Sequence, residues 1–257
     1  MANLTGIPFE KMMFLNLLYE FTTVKACTGI VLRNSEGKII HGRNWDFGEY
    51  EYFGSMVSKV EYYKGGEKLF TEDTVAGSVF SITGIRHGAF AISLNARNPR
   101  GYSGTLLAVL MENNIPALWL VRKTFIEETN FADANKRLRE TKISCPIYII
   151  ISGLKDNEGM VIERGTDHTH AYYELSDYMW FLVQTNYDRD QPDPEKDQRR
   201  IPIELKLAER GSEDFSELVL LETMSAWPTF NIATIFTDIL VPRTGYSNTT
   251  IWYGNNP

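Results

Sequence analysis

The chain has 257 residues, of which 43% are hydrophobic and 12% aromatic, and its formal net charge is −7 at pH 7. A chain this apolar can bury a sizeable core, which excludes a mainly disordered protein. The acidic balance disfavours a nucleic-acid-binding protein, which would usually present a basic face. The longest apolar runs, such as Ile147–Ile151, are far shorter than the roughly 20 residues that a membrane-spanning helix needs.

Strands and helices are predicted to follow one another in blocks. A helical pattern of apolar residues over Pro8–Phe21 gives way to β-type sequence at Cys27. A turn at Asn34–Gly37 joins two strands, Cys27–Leu32 and Lys38–Asn44, in a hairpin, with Gly37 suited to a positive φ. The later predicted elements are, in chain order, strands at Met56–Tyr63, Val79–Thr83 and Ala89–Leu94; helices at Thr105–Glu112, Ala117–Glu127 and Phe131–Glu140; strands at Ile147–Ser152, Met160–Arg164, Ala171–Leu175 and Trp180–Thr185; helices at Gln198–Glu209 and Glu213–Ser225; and strands at Ile232–Leu240 and Thr249–Tyr253.

This order of elements predicts an α+β fold. Because strands and helices occur in blocks, they indicate layers of antiparallel sheet and helix rather than alternating βαβ units. The Pro- and charge-rich stretch Asp188–Arg200 is predicted to be a loop. Long loops inside a compact domain are more often functional than average, so this one is a candidate part of a site.

Cys27 is the first candidate for chemistry, because it opens the β-rich block directly after Ala26. A reactive thiol needs a lowered pKa or a nearby base. The cysteine's own α-amino group, freed by cleavage of the preceding peptide bond, is one such base, with an ordinary pKa of about 7.7–8.0. The other interpretation is a small buried strand residue, since a free cysteine is usually simply buried.

The returning strand of the hairpin carries Arg43 and Asp46. Antiparallel pairing across the turn is predicted to bring both side chains beside Cys27. Arg43 would then favour the thiolate, and Asp46 would accept a hydrogen bond from the freed ammonium group. The alternative is an ordinary ion pair in an edge strand.

At this point the sequence resembles a known family, that of acid ceramidase and the lysosomal acid amidases that hydrolyse N-acylethanolamines. The resemblance begins at Cys27-Thr28-Gly29-Ile30-Val31 and continues at His41-Gly42-Arg43-Asn44-Trp45-Asp46, which look like the start of the family's β-subunit. It extends over nearly the whole chain. The later matching segments are Ile115–Arg122, Glu127–Phe131, and Val183–Asp188 with Arg199-Arg200.

The resemblance implies an N-terminal-nucleophile hydrolase, whose αββα sandwich holds two antiparallel sheets between helical layers. Residues 1–26 would be a helical segment similar to the end of the family's α-subunit, and residues 27–257 would be the catalytic domain. The precursor would cleave itself before Cys27, which would then attack an amide carbonyl and pass through a thioester. The family's catalytic positions fall on Cys27, Arg43, Asp46, Asn186 as the oxyanion-stabilising residue, and Arg199, with Arg200 as an alternative to Arg199.

The implied substrate is a fatty-acyl amide lipid, either an N-acylethanolamine or a ceramide. No metal or organic cofactor is expected, because nucleophile, base and oxyanion donors all come from the chain. The acyl group is predicted to lie in an apolar channel, and core packing is the alternative for each of its candidate side chains. These candidates for substrate binding are Trp45, Phe47, Tyr102, Trp119 and Trp180.

The sequence departs from the family pattern at several positions. Gly29 stands where the family usually has serine, and Gly104 stands where the family has a glutamate near the active site. The family's Asn-Glu-Arg reads Asn95-Ala96-Arg97. These departures leave open two alternatives: a lipid-binding homologue that is catalytically weak or inactive, and an amidase acting on bile-salt or penicillin-type amides.

The resemblance also implies a lysosomal or secreted protein. Met1–Lys25 contains no continuous apolar core of a signal peptide, so a cytoplasmic location stays open. Acceptor triplets for N-glycosylation begin at Asn3 and Asn248. Besides the substrate, the expected partners are the cleaved N-terminal segment and, transiently, a membrane or lipid surface that the helix over Phe9–Phe21 could contact.

Overall fold

The computed structural model describes residues 5–21, 26–48, 50–97 and 101–252. The helices of this part, numbered along the chain, are α1 (Phe9–Phe21), α2 (Tyr50–Phe53), α3 (Gly101–Leu110), α4 (Ala117–Glu127), α5 (Phe131–Glu140), α6 (Arg200–Arg210) and α7 (Glu217–Met224). The strands are β1 (Thr28–Arg33), β2 (Ile39–Asp46), β3 (Val57–Lys64), β4 (Glu67–Val75), β5 (Thr83–Arg86), β6 (Phe90–Ala96), β7 (Ile147–Ser152), β8 (Gly159–Arg164), β9 (Thr169–Glu174), β10 (Phe181–Gln184), β11 (Thr234–Val241) and β12 (Tyr246–Ile251). None of the described helices is long and apolar enough to cross a membrane.

The strands form two antiparallel sheets, which confirms the predicted α+β class. One sheet has the order β10-β1-β2-β11-β12, and the other runs from β3 to β9 in chain order. The β1–β2 hairpin turns at Gly37, whose φ of 71° is the positive value that the turn was predicted to need. The register of this hairpin sets Gly29 opposite Arg43 and Thr28 opposite Asn44, so the charged end of β2 lies beside the start of β1.

The sheets pack face to face between two helical layers. Side chains from β1 and β2 meet side chains from β7 and β8 between the sheets. Helices α6 and α7 cover the outer face of the five-stranded sheet, and α4 and α5 cover that of the seven-stranded sheet. The buried side chains that mark these contacts include Val31, Ile39, Ile150 and Val161 between the sheets, Ile30, Ile40, Leu207 and Leu220 under α6 and α7, and Ile149, Phe125 and Leu138 under α4 and α5. The αββα sandwich is therefore confirmed.

The close approach of the two sheets explains the glycine at position 29. A Cβ atom on Gly29 would lie 3.0 Å from the side chain of Ile150 in the facing sheet, tighter than most real contacts. Any larger residue at this position would need Ile150 to move.

One strand was predicted wrongly. The prediction placed a strand at Val79–Thr83, whereas the structure has β4 at Glu67–Val75 and begins β5 only at Thr83. Strand β4 was not predicted because its sequence contains several charged residues. Two of them, Glu72 and Asp73, are buried in the strand because they have cationic partners: Arg122 contacts Glu72, and Lys59 Nζ lies 3.1 Å from Asp73 Oδ2.

Helix α1 is held to the body of the protein by buried polar side chains. Asn16 accepts a hydrogen bond from the backbone N–H of Val79 at 2.7 Å and donates to the carbonyl of Gly77 at 3.2 Å. Glu20 accepts from the N–H of Leu118 at 3.2 Å, in the first turn of α4. The next residues, 22–25, which precede the expected cleavage position, lie outside the described part of the chain, as does Asn3. The other predicted glycosylation acceptor, Asn248, lies in edge strand β12.

Candidate active site

Arg199 contacts the peptide bond that precedes Cys27. It lies at the end of the predicted loop, directly before α6, and its side chain is buried. Its Nη1 donates to the carbonyl oxygen of Ala26 and, at 2.8 Å, to that of Cys27. Its Nη2 donates to Asn186 Oδ1 at 3.1 Å, and Asp197 Oδ1 accepts from its Nε at 2.6 Å. One guanidinium therefore joins the Ala26–Cys27 peptide bond to Asn186.

Arg200, the alternative to Arg199, does not take part in this cluster. Its Nη2 lies 3.2 Å from Asp193 Oδ1 and donates to the carbonyl of Gln191 at 2.5 Å. Its Nη1 donates to the carbonyl of Asp188 at 3.3 Å. Arg200 therefore stabilises the loop that carries Arg199, and the structure brings Arg199 to Cys27.

The thiol of Cys27 lies in a buried polar environment, with 1% of the residue exposed. Its Sγ donates to the carbonyl oxygen of Asp46 at 3.6 Å. On α1, the phenol oxygen of Tyr19 lies 3.9 Å from Sγ. The thiol is thus enclosed by the end of β2 and by the N-terminal helix.

Arg43 lies near Cys27 and is fully buried. Its Nη1 donates to Asn95 Oδ1 at 2.7 Å. Burial alone would lower the pKa of Arg43, but the nearby ionisable groups, first Cys27, then Tyr19 and Asp46, outweigh burial and raise the pKa above its ordinary value. Arg43 is therefore a permanent buried cation that favours negative charge on its neighbours.

The carboxyl group of Asp46 is also buried, and burial raises its pKa to about 6. The charge of Arg199, hydrogen bonds from Thr234 and Asn231, and the charge of Arg43 oppose this rise. The bond from Asn231 Nδ2 to Asp46 Oδ2 measures 2.9 Å. A carboxyl group with this pKa can both accept and return a proton in mildly acidic to neutral solution.

Asn186 and Asn95 connect the site to both sheets. Asn186 is buried, and its Nδ2 donates to the carbonyl of Ala96 at 2.9 Å while its Oδ1 accepts from Arg199. Asn95 donates from Nδ2 to the carbonyls of Gln184 at 2.9 Å and Cys27 at 3.4 Å. Sequence reasoning gave Asn95 no role, although the one amide side chain in strand Phe90–Ala96, which apart from Ser93 is otherwise apolar, was a signal that could have found it.

An apolar cavity of about 350 Å³ is lined in part by Tyr19, whose phenol oxygen lies 3.9 Å from Cys27 Sγ. Two of the five predicted channel residues, Trp45 and Phe47, line it. Sequence reasoning missed the contribution of the N-terminal helix to this cavity. The other lining side chains include Met12, Leu15, Tyr19, Phe53 and Leu118.

The remaining predicted channel residues are placed differently. Trp119 packs against Phe80, with ring centroids 5.8 Å apart, while its neighbour Leu118 lines the cavity. Trp180 lies at the opposite end of β1 from Cys27, where its ring packs 5.5 Å from that of Phe215. The side chain of Tyr102 lies outside the described residues. The structure thus brings Trp45 and Phe47 to the cavity and leaves Trp180 away from it.

Within the described ranges, no group of three or more His, Cys, Asp or Glu side chains could hold a metal ion. His41, which lies in β2 near the site, is buried between Ser93 and Ser152, with its ring nitrogens 2.8 and 3.0 Å from their hydroxyl oxygens. Burial and, to a smaller extent, the charge of Arg43 lower the pKa of His41 to about 3. His41 is therefore a neutral side chain that connects the two sheets.

Comparison with known proteins identifies the family. No protein-family model matches the chain. The N-acylethanolamine-hydrolyzing acid amidases of Oryctolagus cuniculus and Caenorhabditis elegans are each 32% identical to it, over 93% and 94% of this chain and 67% and 70% of theirs. Acid ceramidase of Homo sapiens is 30% identical over 93% of this chain and 65% of its own. The chain thus spans about two thirds of the length of these relatives.

Solved structures agree with the sequence relatives. The structure of the Caenorhabditis elegans N-acylethanolamine-hydrolyzing acid amidase ortholog has a TM-score of 0.77 at 32% identity, covering 88% of this chain and 99% of that one. A conjugated bile acid hydrolase from Clostridium perfringens shares the fold at 11% identity, with a TM-score of 0.58 and 90% of both chains covered. With at least 30% identity over more than nine-tenths of its length, this chain belongs to the family of acid ceramidases and N-acylethanolamine-hydrolyzing acid amidases.

Proposed function

We propose that the protein is a cysteine amidohydrolase that cleaves fatty-acyl amide lipids through a thioester on Cys27, after cutting its own chain between Ala26 and Cys27. The observation that carries the proposal is the contact of the buried Arg199 guanidinium with the carbonyl oxygen of Ala26, next to the buried thiol. A peptide carbonyl that a buried cation polarises, beside a thiol, is arranged for attack by that thiol.

Self-cleavage follows from this arrangement. The Cys27 sulfur attacks the carbonyl carbon of Ala26, and Asp46 accepts the thiol proton. Arg199 stabilises the oxyanion that forms on the Ala26 oxygen. The bond from this carbon to the Cys27 nitrogen then breaks, the nitrogen takes up the proton as an amine, and a water molecule hydrolyses the resulting Ala26 thioester.

Substrate hydrolysis uses the same groups after cleavage. The freed α-amine of Cys27 accepts the thiol proton, and the sulfur attacks the carbonyl carbon of the substrate amide. Asn186, which accepts a hydrogen bond from the same Arg199 guanidinium that contacts the Ala26 carbonyl, is the proposed oxyanion donor. The amine leaving group departs with the proton, and water then releases the fatty acid from the thioester. Arg43 favours the anionic sulfur throughout, since it stays charged.

The apolar cavity supports an acyl chain as the part of the substrate that the site buries. Its lining is mostly hydrophobic, as is usual for sites that bind apolar ligands. Helix α1 also exposes Phe9, Phe14 and Leu15 near the cavity, which supports the expected contact with a lipid surface. The relatives include an N-acylethanolamine-hydrolyzing acid amidase and an acid ceramidase, whose substrates both carry a fatty-acyl amide.

Incubation of the purified full chain at acidic pH should produce two fragments, one ending at Ala26 and one beginning at Cys27. Intact-mass measurement over time follows the cut, and a fluorogenic fatty-acyl amide follows hydrolysis in the same samples. Hydrolysis should appear with the cut, because the base is the amine that the cut frees. A chain that stays whole and nevertheless hydrolyses the amide would disprove the free-amine mechanism.

The acyl preference distinguishes a lipid amidase from other amidases. The value of kcat/KM should rise about threefold to fourfold with each added methylene until the cavity is full, since each buried methylene contributes about 0.8 kcal/mol. A series of acyl amides with the same amine and acyl chains from short to long measures this. A flat series, or a preference for penicillin V or a conjugated bile acid, would favour the alternative amidase function.

A further inference from the structure

Tyr19 places a phenol beside the nucleophile from the segment that lies before the proposed cut. Its oxygen is 3.9 Å from Cys27 Sγ and donates a hydrogen bond to the carbonyl oxygen of Leu94 at 3.4 Å. Its ring stacks on Phe47, with centroids 6.5 Å apart, at the wall of the apolar cavity. A buried hydroxyl donor in contact with a catalytic sulfur is a group that the mechanism above does not use.

We propose that Tyr19 is a catalytic residue, whose phenol O–H donates a hydrogen bond to the Cys27 sulfur and stabilises the thiolate before it attacks. This inference rests on the proposed role of Cys27 as the nucleophile. It gives the N-terminal helix α1 a chemical role in the site in addition to its role in lining the cavity.

The hydrogen-bond polarity around the sulfur supports a donating phenol. The thiol proton is directed to the carbonyl of Asp46, at 3.6 Å, so the sulfur can act as an acceptor. The single phenol proton of Tyr19 has two acceptors within reach, the carbonyl oxygen of Leu94 at 3.4 Å and the sulfur at 3.9 Å, and an ionised sulfur is the stronger acceptor of the two. Burial, followed by the neighbouring Cys27 group, raises the pKa of Tyr19 well above its ordinary value. The phenol therefore keeps its proton wherever the thiol ionises, and it can donate to the anion when that forms.

The other ionisable groups that face the thiol act through charge. They are Arg43 from β2 and Arg199 from the start of α6, while Asp46 contacts the sulfur through its backbone carbonyl and its carboxyl group lies near both arginines. The two arginines favour the thiolate, whereas Asp46 opposes it when ionised. Tyr19 supplies a neutral donor in contact with the sulfur, so its removal should alter thiol ionisation without changing the net charge of the site.

The contacts of α1 keep Tyr19 in place when the chain is cut after Ala26. Asn16, one turn before Tyr19, bonds to the backbone of Gly77 and Val79. Glu20, directly after it, bonds to the N–H of Leu118 and the hydroxyl of Ser144. These buried bonds join α1 to the catalytic domain on both sides of Tyr19, and none of them involves the peptide bond that breaks.

Tyr19→Phe in the full chain removes the hydroxyl and keeps the ring that stacks on Phe47. We expect the pH at which Cys27 reacts at half its maximal rate with iodoacetamide to rise by about one unit, which is a tenfold change in thiol acidity. Below that pH, kcat/KM for a fatty-acyl amide should fall about tenfold. Peptide mass mapping separates the labelling of Cys27 from that of the buried Cys145.

Tyr62→Phe is the matched control. Tyr62 is a partly buried tyrosine of the same core, and its hydroxyl donates to Glu72 at 2.9 Å, away from the thiol. This variant should lose some stability and leave the labelling profile of Cys27 unchanged. Tyr19→Leu, which lacks both ring and hydroxyl, separates the loss of stacking from the loss of the donor.

An unchanged labelling profile in Tyr19→Phe would refute the proposal, as would an equal shift in Tyr62→Phe. The labelling profile needs no turnover, so it tests Tyr19 independently of the proposed function. If the parent chain neither cuts itself nor hydrolyses amides, the proposed function fails, while the shift in thiol acidity still supports or refutes the contact with Tyr19.

Discussion

Cys27→Ala is expected to abolish both self-cleavage and amide hydrolysis, whereas Cys145→Ala leaves both largely intact. Removal of the nucleophile in a hydrolase can lower kcat by about 10⁶. Cys27 lies beside Arg43, Asp46 and Arg199, while Cys145 lies in the apolar core next to Glu20. Intact mass and hydrolysis of a fluorogenic fatty-acyl amide give the two readouts for each variant.

The two thiols differ because their surroundings differ. Burial, and then the charge of Glu20, raises the pKa of Cys145 well above its ordinary value, so this thiol stays protonated and inert. Cys145→Ala should cost about 1 kcal/mol of stability through the small space that it leaves. If this variant lost both activities while its thermal midpoint stayed near that of the parent, the nucleophile would be Cys145 and the mechanism above would be wrong.

The hairpin that carries Cys27, Arg43 and Asp46 could be predicted from the sequence because its determinants are local. Gly37 fixes the turn, and the turn fixes which residues of β1 and β2 lie side by side. The layered α+β class also followed from the order of the elements. These parts of the fold depend on residues that are close in the chain.

The contacts of Arg199 and Tyr19 could not be derived in this way. Arg199 reaches the Ala26 carbonyl from 173 positions further along the chain, and only the family resemblance indicated that it lies near the site. Tyr19 belongs to a helix whose pattern predicted packing but not its partner. Trp180 was predicted to line the acyl channel, but it lies at the opposite end of β1 from Cys27. An aromatic side chain carries no local signal of which end of a sheet it will cover.

Strand β4 shows a further limit of sequence patterns. No strand was predicted at Glu67–Val75, and only the partners from other elements explain why Glu72 and Asp73 are buried there. Arg122, from α4, contacts Glu72, and Ser81 donates to the same carboxylate. A buried charge of this kind becomes predictable only when its partner is known.

The free energy of unfolding of Glu20→Gln, measured relative to that of the parent, is expected to increase as the pH rises from about 4.5 to about 7. Burial raises the pKa of Glu20 to about 7, against the hydrogen bonds from Ser144 and Leu118 that favour its ionised form. The folded state therefore holds a proton that the unfolded chain releases near its ordinary pKa of about 4.5. The stabilisation from Glu20 is fully present below that value and is lost as the pH rises through about 7, by about 3 kcal/mol in all.

The difference in unfolding free energy between variant and parent isolates the effect of Glu20, because other buried groups also titrate in this pH range. Burial raises the pKa of Asp46 to about 6, which acts in the same direction as Glu20. His41 acts in the opposite direction: its lowered pKa of about 3 means that the unfolded chain takes up a proton near pH 6.5, so its contribution is lost as the pH falls. These contributions are common to both proteins and cancel when the two are compared.

Urea unfolding of both proteins at several pH values between 4 and 8, in a Cys27→Ala background that keeps the chain whole, measures this difference. Glutamine keeps an acceptor for the N–H of Leu118, so the helix contact survives in the variant. Glu209→Gln, at an exposed position on α6, is the matched control and should show no pH-dependent gain. A difference between Glu20→Gln and the parent that stays constant across this range would mean that Glu20 ionises near its ordinary pKa, and that α1 is held by an ionised carboxylate throughout.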